Sequence, residues 1–299
     1  MDDAVSKASA PERRFYARTR AFGRFGMRIF KPQEMVRPHW HGHVEANFAR
    51  HCRMHYMFDG EKLVVEDGQF IVFWAGVPHQ LERVEAVGGQ EPELCNIYLP
   101  LDTFLYMPYI PQLQVSLLTG GMVGVASHLV DWPHMQHWYE DYRSNSPERV
   151  DVVKMDINAL FRRVSLEPFH YLRKPWREAG KSPGLASAHV WQVVAMVRHV
   201  LDHLEQPLSN ADVTKVTGLH HNYALGLFSH TMLIPLKQFI IRMRLLRARG
   251  LLLESNKAIT TVALESGFNS ISQFYHHFAT AYGTTPMQLR DMVLARKVG

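Results

Sequence analysis

The sequence is poor in cysteine, since its 299 residues include only Cys52 and Cys95. Two cysteines cannot supply a disulfide framework or a multi-cysteine zinc site, and such low usage fits a reducing compartment. We also expect no secretion signal, because the N-terminal stretch MDDAVSKASAPERR contains no apolar run. We therefore expect a cytoplasmic protein.

Charged side chains are missing between Asp102 and Asp131. A long uncharged run can indicate a membrane span. Prolines, glutamines and glycines interrupt this one, at Pro108, Pro111, Gln112, Gln114, Gly120, Gly121 and Gly124. We interpret the stretch as loop and core of a folded domain, and expect no membrane partner.

The net positive charge of +5 is unevenly placed along the chain. Residues 185–299 hold 11 of the 33 Lys and Arg but only 6 of the 28 Asp and Glu, so the whole excess lies there. Because phosphates dominate protein–DNA affinity, this is a modest electrostatic footprint for nucleic acid, with a solvated basic surface as the alternative.

Two stretches of that basic region repeat one pattern: a helix, a glycine-apolar turn and a second helix. They are ADVTKVTGLHHNYALGLF, at 211–228, and TVALESGFNSISQFYHHF, at 261–278. Gly218 and Gly267 are 49 residues apart and Phe228 and Phe278 are 50 apart, so the second turn is one residue longer. The second helix of a helix-turn-helix fits the major groove, and two such units can read two adjacent groove segments.

The second copy meets the packing needs of a helix-turn-helix well. A small residue, Ala263, lets the helices cross closely, Gly267 permits the turn, and Phe274 and Phe278 anchor one face of the second helix. The first copy departs from the pattern at Thr214, where a small residue is expected.

Further residues between and after the two motifs complete a known pattern. They are Phe239, Arg244, Ala248, Leu251 and Leu252 on the connecting helix, and Gly267, Phe268, Phe274, Phe278, Gly283 and Pro286 beyond it. Over residues 187–296 the chain resembles the DNA-binding domain of the AraC/XylS family of bacterial transcription regulators. Leu233 departs from that family, because it replaces a usual glycine after the first recognition helix.

The resemblance implies which residues face the DNA groove. In the first recognition helix they are His221, Asn222, Leu225, Gly226 and Ser229, and in the second Asn269, Ser270, Ile271, Ser272, Tyr275 and His276. Asn can pair with adenine, Ser with several bases, and His can donate to guanine. Many relatives place a long polar side chain at the position of Gly226, so we expect apolar contact and DNA shape to contribute more at the first helix. For each residue, an ordinary solvated helix face is the alternative.

The connecting helix carries several cations that phosphates could attract. Lys237, Arg242, Arg247 and Arg249 are the candidates, and phosphate contact is expected for one or two of them. A face of intramolecular salt bridges is the alternative. We expect Arg244 to be structural.

The N-terminal third shows short strands separated by turns. Asp59-Gly60 and Asp67-Gly68 are hairpin signals, and several short strands at regular spacing indicate a small β-barrel or sandwich.

Two histidine-containing stretches in this region, HWHGHVE from His39 to Glu45 and GVPH from Gly76 to His79, resemble the cupin pattern. In cupins, two histidines, a glutamate and a distant third histidine converge inside a barrel. Such ligands would suit Fe, Mn, Ni or Zn. A small-molecule pocket and buried structural histidines are the alternatives; we expect the pocket, with no metal and no cofactor.

The residues expected to line this effector pocket combine aromatic faces with polar groups suited to sugar hydroxyls. They are Arg37, His39, Trp40, His41, Glu45, Trp74 and His79. Residues 39–81 resemble members of the family that control sugar utilisation, which implies a small sugar effector, with an α-galactoside such as melibiose as the candidate. A place in the plain core is the alternative for each tryptophan.

The predicted fold class is α+β, with an N-terminal cupin-like β-barrel followed by an all-α domain containing two helix-turn-helix motifs joined by a long helix. We divide the chain into a flexible segment at 1–20, a sensing domain at 21–126, a helical segment at 127–168, a linker at 169–184 and a DNA-binding domain at 185–299. Apolar spacing predicts a helix over 147–166. That helix either pairs with its copy in a homodimer or packs against its own barrel.

These inferences indicate a transcription regulator and not an enzyme. The expected partners are double-stranded DNA, a small sugar effector, RNA polymerase and a second copy of the chain. Two alternatives stay open at this point: a metal-dependent cupin enzyme with appended helices, and a DNA-binding regulator that needs no effector.

Overall fold

The structure, a computed structural model, describes residues 24–175 and 187–298. The predicted flexible segment at 1–20 and most of the predicted linker lie outside the described residues. Within them, strands dominate up to residue 100 and helices dominate from residue 187, as the sequence predicts. No single described helix is long and apolar enough to cross a membrane; only the helices at His221–Met232 and Leu236–Leu253 taken together, bent by 58°, reach that length and hydropathy.

Nine strands of the described residues form two antiparallel sheets. They are β1 (Gly26–Phe30), β2 (His43–Arg50), β3 (Cys52–Phe58), β4 (Glu61–Val65), β5 (Phe70–Trp74), β6 (His79–Ala86), β7 (Glu93–Pro100), β8 (Met122–Val125) and β9 (His170–Arg173). One sheet has the order β1-β7-β2-β5-β8-β9 and the other β4-β3-β6. The domain has the predicted cupin-like architecture. It consists of two packed sheets, and its strands do not form one closed barrel.

Strand β2 shows how the sequence separates an apolar face of the larger sheet from a polar one. Its alternate residues Val44, Ala46 and Phe48 are apolar and buried, and Phe48 packs on Trp132 of a covering helix with ring centroids 5.8 Å apart. The residues between them point to the opposite face because a strand has a period of two. That face is polar and lies between the two sheets, and it carries His43, Glu45 and Asn47. The residues of β2 therefore divide into an apolar face and a polar face.

The uncharged stretch after Asp102 is more regular than predicted. Instead of loop, it forms helices α1 (Leu101–Tyr106) and α2 (Pro111–Leu118) followed by strand β8. The buried amide of Gln114 donates to the carbonyls of Phe104, Leu105 and Met107 at 2.9, 3.1 and 3.1 Å. It thereby satisfies backbone acceptors that α1 leaves open at its end.

Helices α3 (Trp132–Arg143) and α4 (Pro147–Val164) follow and pack on each other. Helix α4 starts as predicted, with Pro147 in its first turn and the Ser146 hydroxyl accepting from the amide of Arg149. It buries Val153, Ile157 and Phe161 within its own chain.

The structure differs from the predicted linker at residues 170–173, which form β9. Its Arg173 donates to Glu61 at 3.0 Å and to Asp59 at 3.1 Å, and these two ion pairs fasten the strand to the smaller sheet. Gly124 makes room for it, because a Cβ there would lie 2.8 Å from side-chain atoms of His170. The sequence gives no periodic signal for a strand of four residues.

The C-terminal region is helical throughout its described part. Its helices are α5 (Ser187–Asp202), α6 (Asn210–Lys215), α7 (His221–Met232), α8 (Leu236–Glu254), α9 (Ile259–Glu265), α10 (Ile271–Tyr282) and α11 (Pro286–Val298). Helices α6 and α7 form the first motif, α9 and α10 the second, and α8 connects them, as predicted. The ends of α7 and α10 also correspond, because Leu233 and Gly283 both adopt the left-handed conformation, with φ of 62° and 63°.

Candidate functional site

The turn of the second motif depends on the absence of a side chain at Gly267. Its φ is 90°, and a Cβ would lie 2.1 Å from the carbonyl oxygen of Leu204 and 2.6 Å from Nε of Arg244. Arg244 donates to the same Leu204 carbonyl at 3.1 Å and to Gln206 at 2.8 Å. Its guanidinium therefore joins the α5–α6 connection to α8 beside the turn, in agreement with a structural role.

Helix α10 leaves one stripe of side chains in solvent while Phe274 and Phe278 hold it to the core. The exposed stripe consists of Ser272, Gln273, His276, Ala279 and Thr280. Of the residues predicted to face DNA, Asn269, Ser272 and His276 are exposed and Ser270 is half-buried. Ile271 and Tyr275 are half-buried against the helical core, so less of each side chain is available to a base.

Helix α7 presents the corresponding stripe fifty residues earlier. The predicted residues His221, Asn222 and Gly226 are exposed, Ser229 is half-buried, and Leu225 is half-buried against the core. Tyr223, which is 51% exposed, lies on the same outward face.

The sequence prediction omitted Tyr223 and its counterpart Gln273. The fifty-residue offset relates these two residues, and it also relates Gly226 to His276. Combining this offset with helical spacing could have identified them, because positions one turn apart share a helix face.

Thr214 occupies the position in α6 where a small residue was expected, and its side chain is 2% exposed. Its hydroxyl donates to the Ala211 carbonyl at 3.2 Å and lies 2.8 Å from Nδ1 of His221. The larger residue is accommodated because its polar atom bridges the two helices of the first motif.

The four cations of the connecting helix α8 differ in their exposure and in their partners. Arg242 donates to the carbonyl of Gly76 in the sensing domain, and Arg247 pairs with Glu205. Arg249 is buried, whereas Lys237 is exposed. Of the four candidates for phosphate contact, Lys237 is therefore the one whose side chain is exposed to solvent.

The histidines of the sensing domain converge as predicted. His39 and His79 are joined by two backbone hydrogen bonds of 3.0 Å each, and His41 lies beside them. One ring nitrogen of each of these three residues lies within 4.8 Å of those of the other two. Glu45 accepts from His41 at 2.8 Å and lies 4.0 Å from Nε2 of His79.

Two asparagines extend this cluster into the space between the sheets. Asn47 and Asn96 are opposite each other on β2 and β7, and both donate to Oε2 of Glu45, at 3.2 and 3.1 Å. Their own carbonyl oxygens have no hydrogen-bond partner among the described residues, although they are buried. The sequence prediction did not include them, yet Asn47 follows His43 and Glu45 on the same face at the strand period of two.

Burial, followed by the neighbouring His39, lowers the pKa of His79 to about 3, while Glu45 opposes the shift. The ring is therefore neutral at neutral pH, and its buried Nε2 has no hydrogen-bond partner within the described part of the chain. A neutral imidazole near a carboxylate and two amides can bind the hydroxyls of a polar ligand. With His39 and His41 it also offers a donor set that fits a divalent transition metal.

The aromatic residues predicted for the pocket contact the DNA-binding region. The Trp40 ring stacks on Tyr282 with centroids 4.9 Å apart, and the guanidinium of Arg242 lies 4.6 Å from the centroid of the Trp74 ring. Arg37 is exposed on the approach to the first histidine. Thus His39, His41, Glu45 and His79 come together, whereas the two tryptophans are engaged by the other half of the chain.

Comparisons with known proteins agree with both halves of this arrangement. A cupin domain model matches residues 26–87, and a helix-turn-helix domain model matches residues 213–292. The two matched ranges contain the histidine cluster and both recognition helices.

The sequence is similar to named regulators, to one of them over most of its length. The chain is 28% identical over 268 residues to the melibiose operon regulatory protein of Escherichia coli strain K12, covering 89% of this chain and 87% of that protein. It is 32% identical over 101 residues to the probable transcriptional regulator LumQ of Photobacterium leiognathi, covering 34% of this chain and 41% of that one. The similar proteins are regulators of transcription and not enzymes.

Among solved structures, the fold is similar to wild-type ToxT of Vibrio cholerae strain SCE256 with a bound unsaturated fatty acid. The TM-score is 0.52 at 10% identity, and the match covers 89% of this chain and 94% of that chain. At this identity the likeness concerns the fold: a cupin-like sheet domain followed by a helical domain with two helix-turn-helix motifs.

Proposed function

We propose that the chain is a transcription regulator of the AraC/XylS type, as its helix-turn-helix and cupin matches and its similarity to the melibiose operon regulatory protein support, and that it binds a specific operator through α7 and α10 in response to a small sugar. The sensing domain would hold the sugar between its two sheets. The DNA-binding domain would read two successive major-groove segments of one duplex. The protein is a regulator and not an enzyme, since the proteins it matches are regulators.

The observation that carries the DNA-binding proposal is the correspondence of two exposed helical stripes. Asn222 and Tyr223 on α7 match Ser272 and Gln273 on α10, and all four side chains are exposed. Amides and hydroxyls can exchange hydrogen bonds with base edges. The opposite faces of both helices are fixed by phenylalanines, so the reading faces are presented by a rigid scaffold.

The polarity of the pocket favours a sugar over an acyl chain as the effector. Glu45, Asn47 and Asn96 place a carboxylate and two amides inside, and an apolar ligand would leave the side-chain oxygens of both asparagines without a hydrogen-bond donor. The similarity to the melibiose operon regulatory protein supports an α-galactoside as the first ligand to examine. ToxT holds an unsaturated fatty acid, but the similarity to it extends only to the fold.

The outer face of α4 supports self-association. Val152 and Met155 are 48% and 68% exposed, Ala159 is exposed one turn further along, and Leu166, just beyond the helix end, is 68% exposed. The inner face of the same helix is already buried in its own chain. The helix can therefore pack on its own domain and at the same time pair with its copy in a second chain. A dimer would present two pairs of recognition helices, and RNA polymerase is the expected partner at the regulated promoter.

Selection of bound fragments from genomic DNA, with and without melibiose, raffinose or galactose, tests the proposal. We expect one enriched sequence family whose recovery depends on one of the sugars. Two results together would favour a regulator that needs no effector. The enriched sequences would be the same with and without each sugar, and calorimetry would detect no binding heat for any of the three sugars.

A second measurement separates a sugar pocket from a metal site. The His39, His41 and His79 donor set fits a transition metal, so metal content should be measured on the purified protein and on His39→Ala. Stoichiometric metal that is lost in the variant would assign the cluster to metal binding, whereas a metal-free protein that binds sugar supports the proposal.

A further inference from the structure

The carboxylate of Glu45 is shared by three donors in the interior of the sensing domain. Its Oε1 accepts from Nε2 of His41 at 2.8 Å, and its Oε2 accepts from the side-chain amides of Asn47 and Asn96 at 3.2 and 3.1 Å. All four side chains are buried. Because a carboxylate oxygen has about two lone-pair sites, the two amides fill Oε2. Glu45 is therefore largely occupied by donors of its own chain.

This arrangement determines how both asparagine side chains are turned. An ionised carboxylate only accepts hydrogen bonds, so Asn47 and Asn96 present their NH2 groups to Glu45 and direct their carbonyl oxygens away from it. Both oxygens are buried, and neither has a hydrogen-bond partner among the residues that the structure describes. Glu45 thus fixes the orientation of two acceptors that lack a donor, which is a costly arrangement in a protein interior.

The two carbonyl oxygens belong to directly neighbouring side chains. Asn47 and Asn96 are opposite each other in the register of β2 and β7, which places their Cβ atoms about 4.5–5.5 Å apart. A neutral sugar with hydroxyls on two adjacent carbons offers two donors side by side, one for each oxygen. An ionised carboxylate offers no donor and would be repelled by the charge of Glu45. The pair therefore favours a neutral diol over an acidic ligand.

Two aromatic rings adjoin this polar group, one from each sheet. Phe73 is opposite Glu45 in the register of β5 and β2, so its side chain lies on the same face of the larger sheet. Tyr56 belongs to β3 of the smaller sheet, and its ring centroid lies 6.4 Å from that of Phe73. Burial, and next Glu45, raise the pKa of Tyr56, while a hydrogen bond from Asn47 lowers it. The phenol is therefore neutral at neutral pH and lies near both polar groups, and the two rings offer apolar faces to the C–H side of a sugar.

We propose that Asn47 and Asn96 determine the specificity of the effector site, because they accept from two hydroxyls on adjacent carbons of a neutral sugar, and that Glu45 is the residue that positions them. The inference rests on the proposed sugar effector and identifies the part of the sugar that is recognised. Tyr56 and Phe73 cover the apolar side of the sugar ring. Glu45, predicted as a direct contact, acts through the two asparagines. A sugar that lacks either hydroxyl leaves one buried carbonyl without a donor and binds more weakly.

The positioning by Glu45 is tested without a ligand, by NMR of the full chain labelled with 15N in its asparagines. Asn47→Ala and Asn96→Ala assign the two side-chain NH2 signals by their loss. In the wild type both groups should exchange with solvent at least about tenfold more slowly than exposed asparagine amides, because they are buried and hydrogen-bonded. Glu45→Gln should shift both signals, since its neutral side chain has one acceptor oxygen in place of two. Fast exchange of both groups in the wild type, or unchanged signals in Glu45→Gln, would overturn the positioning role.

The specificity is tested by calorimetry with melibiose, raffinose and galactose, and then with the monodeoxy analogues of whichever sugar binds. The wild type should bind two analogues, which lack hydroxyls on adjacent carbons, at least about tenfold more weakly than the parent sugar. Asn47→Ala should no longer disfavour one of these analogues, and Asn96→Ala should no longer disfavour the other. Asn158→Ala is the matched control, because the carbonyl oxygen of Asn158 on α4 also has no partner within the described part of the chain; it should disfavour both analogues as the wild type does.

The outcomes separate this inference from the proposed function. A sugar that binds the wild type, but whose deoxy analogues bind equally well or are disfavoured equally by the wild type and both alanine variants, would overturn the specificity role and leave the sugar effector standing. If none of the three sugars binds, the sugar effector fails and the specificity role fails with it. The NMR measurement then still decides whether Glu45 orients the two asparagines.

Discussion

The Thr214 hydroxyl lies 2.8 Å from Nδ1 of His221, so a buried threonine holds the first residue of the first recognition helix. Either the hydroxyl or the ring nitrogen can donate in this contact, and in both cases Nε2 of His221 is the ring atom left to face DNA. The contact connects the packing of the motif to its reading face.

Thr214→Val should lower the free energy of unfolding by about 1 kcal/mol, because it keeps the shape but removes the hydroxyl between the helices. The measurement is urea denaturation of the full chain, with His221→Ala and the double variant completing a double-mutant cycle. Strictly additive losses in the cycle would show that the two side chains do not interact in solution.

The two glycines Gly226 and Gly267 should respond to alanine in opposite directions. Gly226 lies on the exposed face of α7, and a Cβ there meets nothing within 4 Å. Gly226→Ala should therefore raise stability by about 0.5–1 kcal/mol through helix propensity. Gly267→Ala places a Cβ against the Leu204 carbonyl and should strongly destabilise the second motif. Circular dichroism during thermal unfolding compares the two, and equal behaviour would contradict the geometry.

Leu233 adopts a left-handed conformation that costs a non-glycine residue about 1–2 kcal/mol. Leu233→Gly should therefore be more stable than Leu233→Ala, because both variants lose the same side chain and only glycine avoids the strain. Gly283→Ala, at the corresponding position after α10, should be destabilised by a similar amount. A Leu233→Ala variant that matches Leu233→Gly in its denaturation midpoint would show that the turn is unstrained.

If α4 pairs with its copy through its exposed apolar residues, charged side chains introduced there should weaken self-association. Val152→Glu with Met155→Glu should shift the full chain toward monomer in sedimentation velocity, since charges would be buried at the contact. Val64→Glu alters an exposed valine on β4 and is the matched control. A wild-type protein that is monomeric at all concentrations would contradict the proposed contact.

Local patterns account for what the sequence predicts well. The turn at Gly267, the phenylalanine anchors of α10 and the start of α4 at Pro147 depend on neighbours within a few residues. The histidine cluster was also foreseen, since the resemblance to cupins relates residues 39–45 to His79.

What the sequence does not reveal depends on distant partners. Helix α2 is buried on nearly all sides, so its part of the uncharged stretch shows no amphipathic period. Strand β9 pairs with β8, which lies more than forty residues earlier. Arg242 looked like a phosphate ligand because only the tertiary structure brings it to Gly76.

The most direct test of the central claim is the affinity of the full chain for its selected operator, compared with random DNA of equal length. We expect clear preference for the operator, a steeply negative slope of log K against log salt, and a loss of about 1–3 kcal/mol for His276→Ala on the operator alone. Equal affinity for operator and random DNA would contradict specific reading by α7 and α10.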